Sequence, residues 1–182
     1  MSTAVVVLAD GFEEIEATTP IDVLRRADVE VIVAGLKTKK VTGSHGIVLT
    51  ADRKLSEVKG EIDGLVLPGG LPGAENLAAS KPLTKLIKNM HEAGKIVAAI
   101  CASPAYVLAP AGVLDGKHAT GYPGTQDRFP ESTTYFEDPV VRDANVITSR
   151  GPGTAIEFSL KIVQALAGTE KSLDLRSKML AG

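Results

Sequence analysis

Only one cysteine, Cys101, occurs in the chain, so no internal disulfide can form and a cystine-stapled secreted scaffold is excluded; the expected setting is a reducing, cytoplasmic one. No apolar run reaches membrane-spanning length, and the stretch Ala4–Leu8 is too short and too uncharged at its front for a signal peptide. Basic residues are scattered and the formal net charge is −2, which gives no reason to expect nucleic acid or an anionic membrane as partner. Neither GxxxxGK[ST] nor GxGxxG is present, so nucleotide binding is not expected. The three histidines, His45, His91 and His118, show no ligand spacing; no metal set is visible and no cofactor is expected. No repeat, linker or low-complexity segment divides the chain, which reads as a single domain over 1–182.

What remains is a 182-residue sequence, 44% apolar and 23% charged, long enough to bury a full core. Strands are predicted at Thr3–Ala9, Val29–Ala34, Leu65–Leu67 and Ile96–Ile100, with shorter ones at Ile47–Thr50, His118–Thr120, Thr133–Phe136, Val140–Val141 and Asn145–Thr148. Glu13 and Glu14 open a short helical turn, and Thr19-Pro20 reads as the start of a second helix running to Ala27. Further helices are expected from Pro82, capped by Ser80, to Ala93, from Thr154 to about Gly168, and over Ser172–Leu180. Strands alternating with helices argue an α/β fold with a mostly parallel sheet covered on both faces.

The chain is organised around Lys95–Pro104. Its apolar, β-branched first half fits a strand buried on both faces, and it ends at Cys101. Ser103 and Pro104 offer a cap and an early helical position for Ala105–Ala109, which would put the thiol at a strand-to-helix junction where free N–H groups and the helix dipole favour the thiolate. The plain alternative is a small buried hydrophobe.

Ligands in open α/β sheets bind outside the carboxyl ends of the strands, where Asp10–Glu16, Pro68–Gly73, Cys101–Pro104 and Ser149–Thr154 should meet. Three glycines and two prolines in Pro68–Gly73 imply close backbone approach or unusual dihedrals. Glu16 is the sharpest partner for Cys101, as a carboxyl able to accept and return protons beside a sulfur that would raise its pKa. Acidic residues in a first helical turn also simply complement the dipole, and spacing hardly separates Glu16 from Glu13 or Glu14. Ser149 and Arg150 could bind an anion, but a Gly-Pro-Gly junction explains them equally.

Four segments in register, Asp10-Gly11-Phe12-Glu13-Glu14-Ile15-Glu16, Leu67-Pro68-Gly69-Gly70, Ala98-Ala99-Ile100-Cys101-Ala102 and Thr148–Thr154, resemble the ThiJ/PfpI superfamily, in the branch of the parkinsonism-associated deglycase and its bacterial relatives. The resemblance spans essentially the whole chain. It implies a flavodoxin-like three-layer sandwich, a homodimer, and Cys101 on a strained nucleophile elbow. It further implies that Glu16 is the protonated carboxyl bonded to the thiolate, that the N–H groups of Gly70 and Ala102 form an oxyanion site, and that Gly69 shapes the loop. Ala102 stands where the peptidase branch has a histidine, which disfavours a Cys-His protease, and Gly121-Tyr122 stands where eukaryotic members carry an active-site histidine.

The implied activity is that of a cofactor-independent glyoxalase or deglycase, which would act on small 2-oxoaldehydes such as methylglyoxal or on their early adducts with amines, thiols and nucleotides. The other reading of the same two residues is a redox sensor or redox-regulated holdase chaperone working through oxidation of Cys101.

Overall fold

The structure, a computed structural model, describes residues 1–182. Its frame is a seven-stranded sheet. β1 (Thr3–Leu8) leads through α1 (Glu14–Arg26) to β2 (Glu30–Gly35), and the chain then makes a small antiparallel hairpin, β3 (Lys40–Thr42) and β4 (Val48–Thr50), before the short edge strand β5 (Arg53–Lys54). β6 (Gly64–Leu67), α2 (Gly73–Ala78), α3 (Lys81–Glu92) and β7 (Ile96–Ile100) follow. A two-stranded excursion, β8 (His118–Ala119) with β9 (Thr134–Tyr135), precedes β10 (Val140–Asp143), β11 (Val146–Ser149), α4 (Ala155–Ala167) and α5 (Thr169–Lys178).

The strand order is β10-β11-β7-β6-β1-β2-β5, and every neighbour is parallel except β10 with β11. This is the expected flavodoxin-like arrangement. β1 connects outward to β2 on one side while β6, β7 and β11 continue on the other, so the carboxyl ends of β1 and β6 part at a topological switch point. Every residue of β6 and β7 is buried, which is why both read as unbroken apolar runs rather than alternating ones. α1, α4 and α5 pack together as one helical layer, and α2 with α3 belongs to the other. No helix is long and apolar enough to cross a membrane.

Two helical expectations are corrected. Thr19-Pro20 does not begin a new helix: α1 is continuous, with Pro20 inside it. Pro20 removes one backbone donor, but Ala17, Pro20, Val23 and Leu24 are all buried, and their packing holds the helix through the break. The element directly after Cys101 is not an α-helix but a single π-type turn, Pro104–Leu108. Ser103 caps nothing; its hydroxyl is used elsewhere. α2 was not anticipated because Gly73 and Pro72 at its start read as loop.

Candidate active site

β7 ends at Cys101, whose φ of +64° lies in the left-handed region. For a residue with a side chain that conformation costs about 1–2 kcal/mol, so neighbouring contacts must impose it. They are visible on both sides: the Cys101 N–H donates to the Ser149 carbonyl at 2.9 Å, and the Cys101 carbonyl accepts from the Tyr122 N–H at 2.8 Å. The sharp turn swings the sulfur to the carboxyl end of the sheet, where the residue keeps 8% of its surface exposed.

Glu16, two residues into α1, is fully buried, and its Oε2 accepts the Gly69 N–H at 2.8 Å. Its buried Oε1 has no hydrogen-bond partner, and the Cys101 thiol beside the carboxyl works to lower its pKa. Glu14 and Glu16 lie about 200° apart around the helix, so only one of them can face the sulfur. Glu14 turns instead to the hairpin loop, where Oε1 accepts the N–H groups of His45 at 2.7 Å and Ile47 at 3.3 Å.

The β6–α2 loop fits against this pair. A Cβ on Gly69 would stand 2.7 Å from Cys101 Cβ and 2.8 Å from Glu16 Oε2, so nothing larger than hydrogen is accommodated. Gly70 takes φ +83°, with its Cα facing the backbone of Gly11 to Glu13. The loop is fastened from two sides, by the Glu13 N–H to the Gly69 carbonyl at 3.0 Å and by the buried Ser103 hydroxyl to the Pro68 carbonyl at 2.6 Å. With the loop so held, the backbone of Gly70 and Ala102 lies beside Cys101, where their N–H groups act to lower the thiol's pKa.

Burial pushes the Glu16 carboxyl up to about 7, against the opposing pull of its bonds to Cys101 and Gly69. Burial, the Glu16 charge and the bond to Glu16 push the Cys101 thiol up to about 12, with the Gly70 and Ala102 N–H groups working the other way. Two negative charges cannot sit side by side in this pocket, so the pair releases one proton near neutrality and holds the second. The expected helix N-terminus behind the thiol is corrected: Cys101 is followed by a five-residue π-type turn rather than an α-helix.

Ser149–Thr154 also reaches this end of the sheet, but its polar groups are used internally. Ser149 Oγ donates to the Pro139 carbonyl at 2.7 Å, Thr154 Oγ1 accepts the Gly151 N–H at 3.1 Å, and Arg150 donates to the Glu137 carbonyl at 3.0 Å. Neither Ser103 as a fastener of the Pro68 loop nor the meeting of His45 with Glu13 and Glu14 has a local signal, because those partners lie 31 or more positions apart.

A family model described as the DJ-1/PfpI family matches residues 2–165. Protein DJ-1 homolog A of Arabidopsis thaliana is 41% identical over 98% of this chain, which spans 46% of that longer protein. A Caenorhabditis elegans protein named glutathione-independent glyoxalase DJR-1.2 is 37% identical, with 96% of this chain and 93% of that one covered. Among solved structures, that of oxidized Toxoplasma gondii DJ-1 superposes with a TM-score of 0.95 at 40% identity, covering 99% of this chain and 98% of that one.

Proposed function

The chain belongs to the DJ-1/PfpI family, and from that premise we propose that it is a cysteine-dependent, cofactor-independent enzyme converting 2-oxoaldehydes such as methylglyoxal to hydroxy acids. The observation that carries this reading is Cys101, turned to φ +64° at the end of β7, with the fully buried carboxyl of Glu16 beside it and pushed up to about 7. The glyoxalase name of the nematode relative supports the same substrate class.

In this mechanism the Glu16 carboxylate takes the thiol proton as sulfur adds to the aldehyde carbon, giving a hemithioacetal. The Gly70 and Ala102 N–H groups stabilise the alkoxide as it forms. Glu16 hands the thiol proton to that alkoxide and, again a carboxylate, moves the proton from the former aldehyde carbon to the neighbouring carbon, while the new hydroxyl's proton passes to the ketone oxygen; the ketone becomes a hydroxyl and a thioester is left. Water cleaves the thioester, so methylglyoxal plus water yields lactate and the free thiol. The early adducts of such aldehydes with protein or nucleotide amines and thiols enter by the same addition. With only 8% of Cys101 exposed, small free aldehydes are the preferred substrates.

Steady-state consumption of methylglyoxal with lactate formation tests this: repeated turnover by the wild type, lost in Cys101→Ala and Glu16→Gln, is expected. Absence of lactate from the wild type refutes it.

One observation favours a second role. The sole cysteine has no resolving thiol, so peroxide oxidation of Cys101 stops at sulfenic or sulfinic acid rather than a disulfide. Stoichiometric oxidation that alters partner binding without turnover would mark a redox sensor or holdase.

We also propose a homodimer. Ile15, Ile47 and Val48 are each more than half exposed, and the bond from the Ile47 N–H to Glu14 brings the hairpin's apolar tip beside the start of α1. The absence of a membrane-length helix and of any possible internal disulfide supports a cytoplasmic setting.

A further inference from the structure

We propose that Tyr135 is a positioning residue for the aldehyde chemistry, its hydroxyl orienting the Ala102 N–H group through two intervening peptide units. The inference rests on the oxyanion role given above to that N–H. Tyr135, in β9, donates its hydroxyl to the Gly121 carbonyl at 2.9 Å. That carbonyl and the Tyr122 N–H are the two ends of one peptide unit, which is planar and stiff, so a bond that fixes one end fixes the other. The Tyr122 N–H donates to the Cys101 carbonyl at 2.8 Å. The Cys101 carbonyl and the Ala102 N–H are in turn the two ends of a second such unit, and this last N–H is the one that acts on the Cys101 thiol. Each link also polarises the next, because an amide whose carbonyl accepts a hydrogen bond is a better donor at its N–H.

The surroundings show why the relay matters. Cys101 sits at φ +64°, so the peptide unit that follows it is held by its bonds and not by backbone preference. The partner of its carbonyl is a loop amide beyond the end of β8, next to Gly121, a residue with the freedom to turn. Three contacts remove that freedom. The Thr120 N–H donates to the buried Thr148 Oγ1 at 2.9 Å, on the strand whose next residue, Ser149, accepts the Cys101 N–H. The Phe129 ring presses on Gly121, where a Cβ would stand 3.1 Å from its Cζ. The third is the Tyr135 hydroxyl, which alone of the three is bonded to the unit that carries the donor to Cys101. Phe129 also meets Tyr135 edge to face, with ring centroids 5.2 Å apart at 82°, and so holds the phenol in the orientation that reaches Gly121. The two oxyanion donors thus have separate fasteners: Ser103 for the loop that carries Gly70, and Tyr135 for Ala102.

The test compares two hydroxyl deletions in the full chain. Tyr135→Phe removes the relay's first donor and keeps the ring that packs on Phe129. Thr133→Val is the matched control, deleting a bond of the same kind in the same excursion, from Thr133 Oγ1 to the Leu114 carbonyl at 2.7 Å, that lies outside the relay. Urea denaturation should show both variants folded and both somewhat destabilised. With methylglyoxal, Tyr135→Phe should lower kcat by about 10- to 100-fold with KM within about twofold of wild type, whereas Thr133→Val should keep the wild-type kcat. Amide NMR reads the relay without turnover: the Tyr122 and Ala102 N–H resonances should move upfield in Tyr135→Phe and stay in place in Thr133→Val. Unmoved amides in Tyr135→Phe, or an active wild type whose kcat falls in neither variant or equally in both, would overturn the proposal. Absence of lactate from the wild type refutes the aldehyde reading and with it the positioning role, while the amide shifts still show by themselves whether the relay of hydrogen bonds exists.

Discussion

Replacing Glu16 with Gln should abolish the chemistry and yet make the protein more stable at pH 8. In the folded chain the carboxyl titrates near 7, against an ordinary value of 4.5. Because the native state keeps its proton longer than the unfolded chain does, unfolding releases a proton between those two values. The favourable contribution is therefore complete below pH 4.5 and is lost as pH rises through 7. Holding the ionised form in this pocket at pH 8 costs about 3 kcal/mol at most, a ceiling that relaxation and sharing of the proton with Cys101 reduce. Glutamine fills the same volume, its carbonyl oxygen can accept the Gly69 N–H, and its amide can donate toward the sulfur. Urea denaturation of both proteins at pH 4.5, 6 and 8 reads the effect. The difference in unfolding free energy should move in the variant's favour by up to about 3 kcal/mol across the series, or roughly 6–12 °C in Tm. Groups such as Glu14, Asp63 and Asp143 titrate in both proteins and cancel. A variant that is less stable by the same amount at every pH would refute the buried, proton-retaining carboxyl and the base role built on it.

The same pair predicts that wild-type kcat/KM for methylglyoxal rises with pH through about 7, as the first proton leaves; a flat profile from pH 5 to 9 would remove Glu16 from the proton path. Gly69→Ala forces a methyl to within 2.7 Å of Cys101 Cβ, and should cost about 1–3 kcal/mol of stability with a loss of turnover of at least about a hundredfold, read by denaturation and lactate assay. Ser103→Ala leaves the Pro68 carbonyl without its buried 2.6 Å donor, so stability should fall by about 1–3 kcal/mol and kcat should fall more than KM rises, because the loop carrying the Gly70 donor loosens. Sedimentation equilibrium should give a dimer, and Ile47→Glu, at an exposed apolar position, should shift it to monomer without altering the circular dichroism.

How much of this was legible in the sequence depends on whether a signal was local. β6 and β7 announced themselves because strands buried on both faces must be apolar throughout, and the glycines of Pro68–Gly73 marked a loop where backbone approaches backbone. Cys101 stood out by position, at the end of such a strand, but the element that follows it did not. A five-residue π-type turn and an α-helix have the same composition over so short a stretch, so local signal could not tell them apart. Pro20 misled in the opposite sense: its local signal is to start a helix, and the core face of α1 overrode it. Glu16 could not be separated from Glu13 and Glu14 by spacing, since the choice turns on where α1 begins and hence on which glutamate faces the sheet end. His45 was illegible as a partner for either glutamate, because the hairpin that carries it across to α1 is fixed by contacts such as the Gly11 N–H to the Thr42 carbonyl and the Ser44 N–H to the Phe12 carbonyl, at 2.8 Å each. Those bonds join segments about thirty residues apart, and their partners are backbone groups that every residue carries. The side chains that such long-range backbone pairing gathers are where structure adds most to a reading of this sequence.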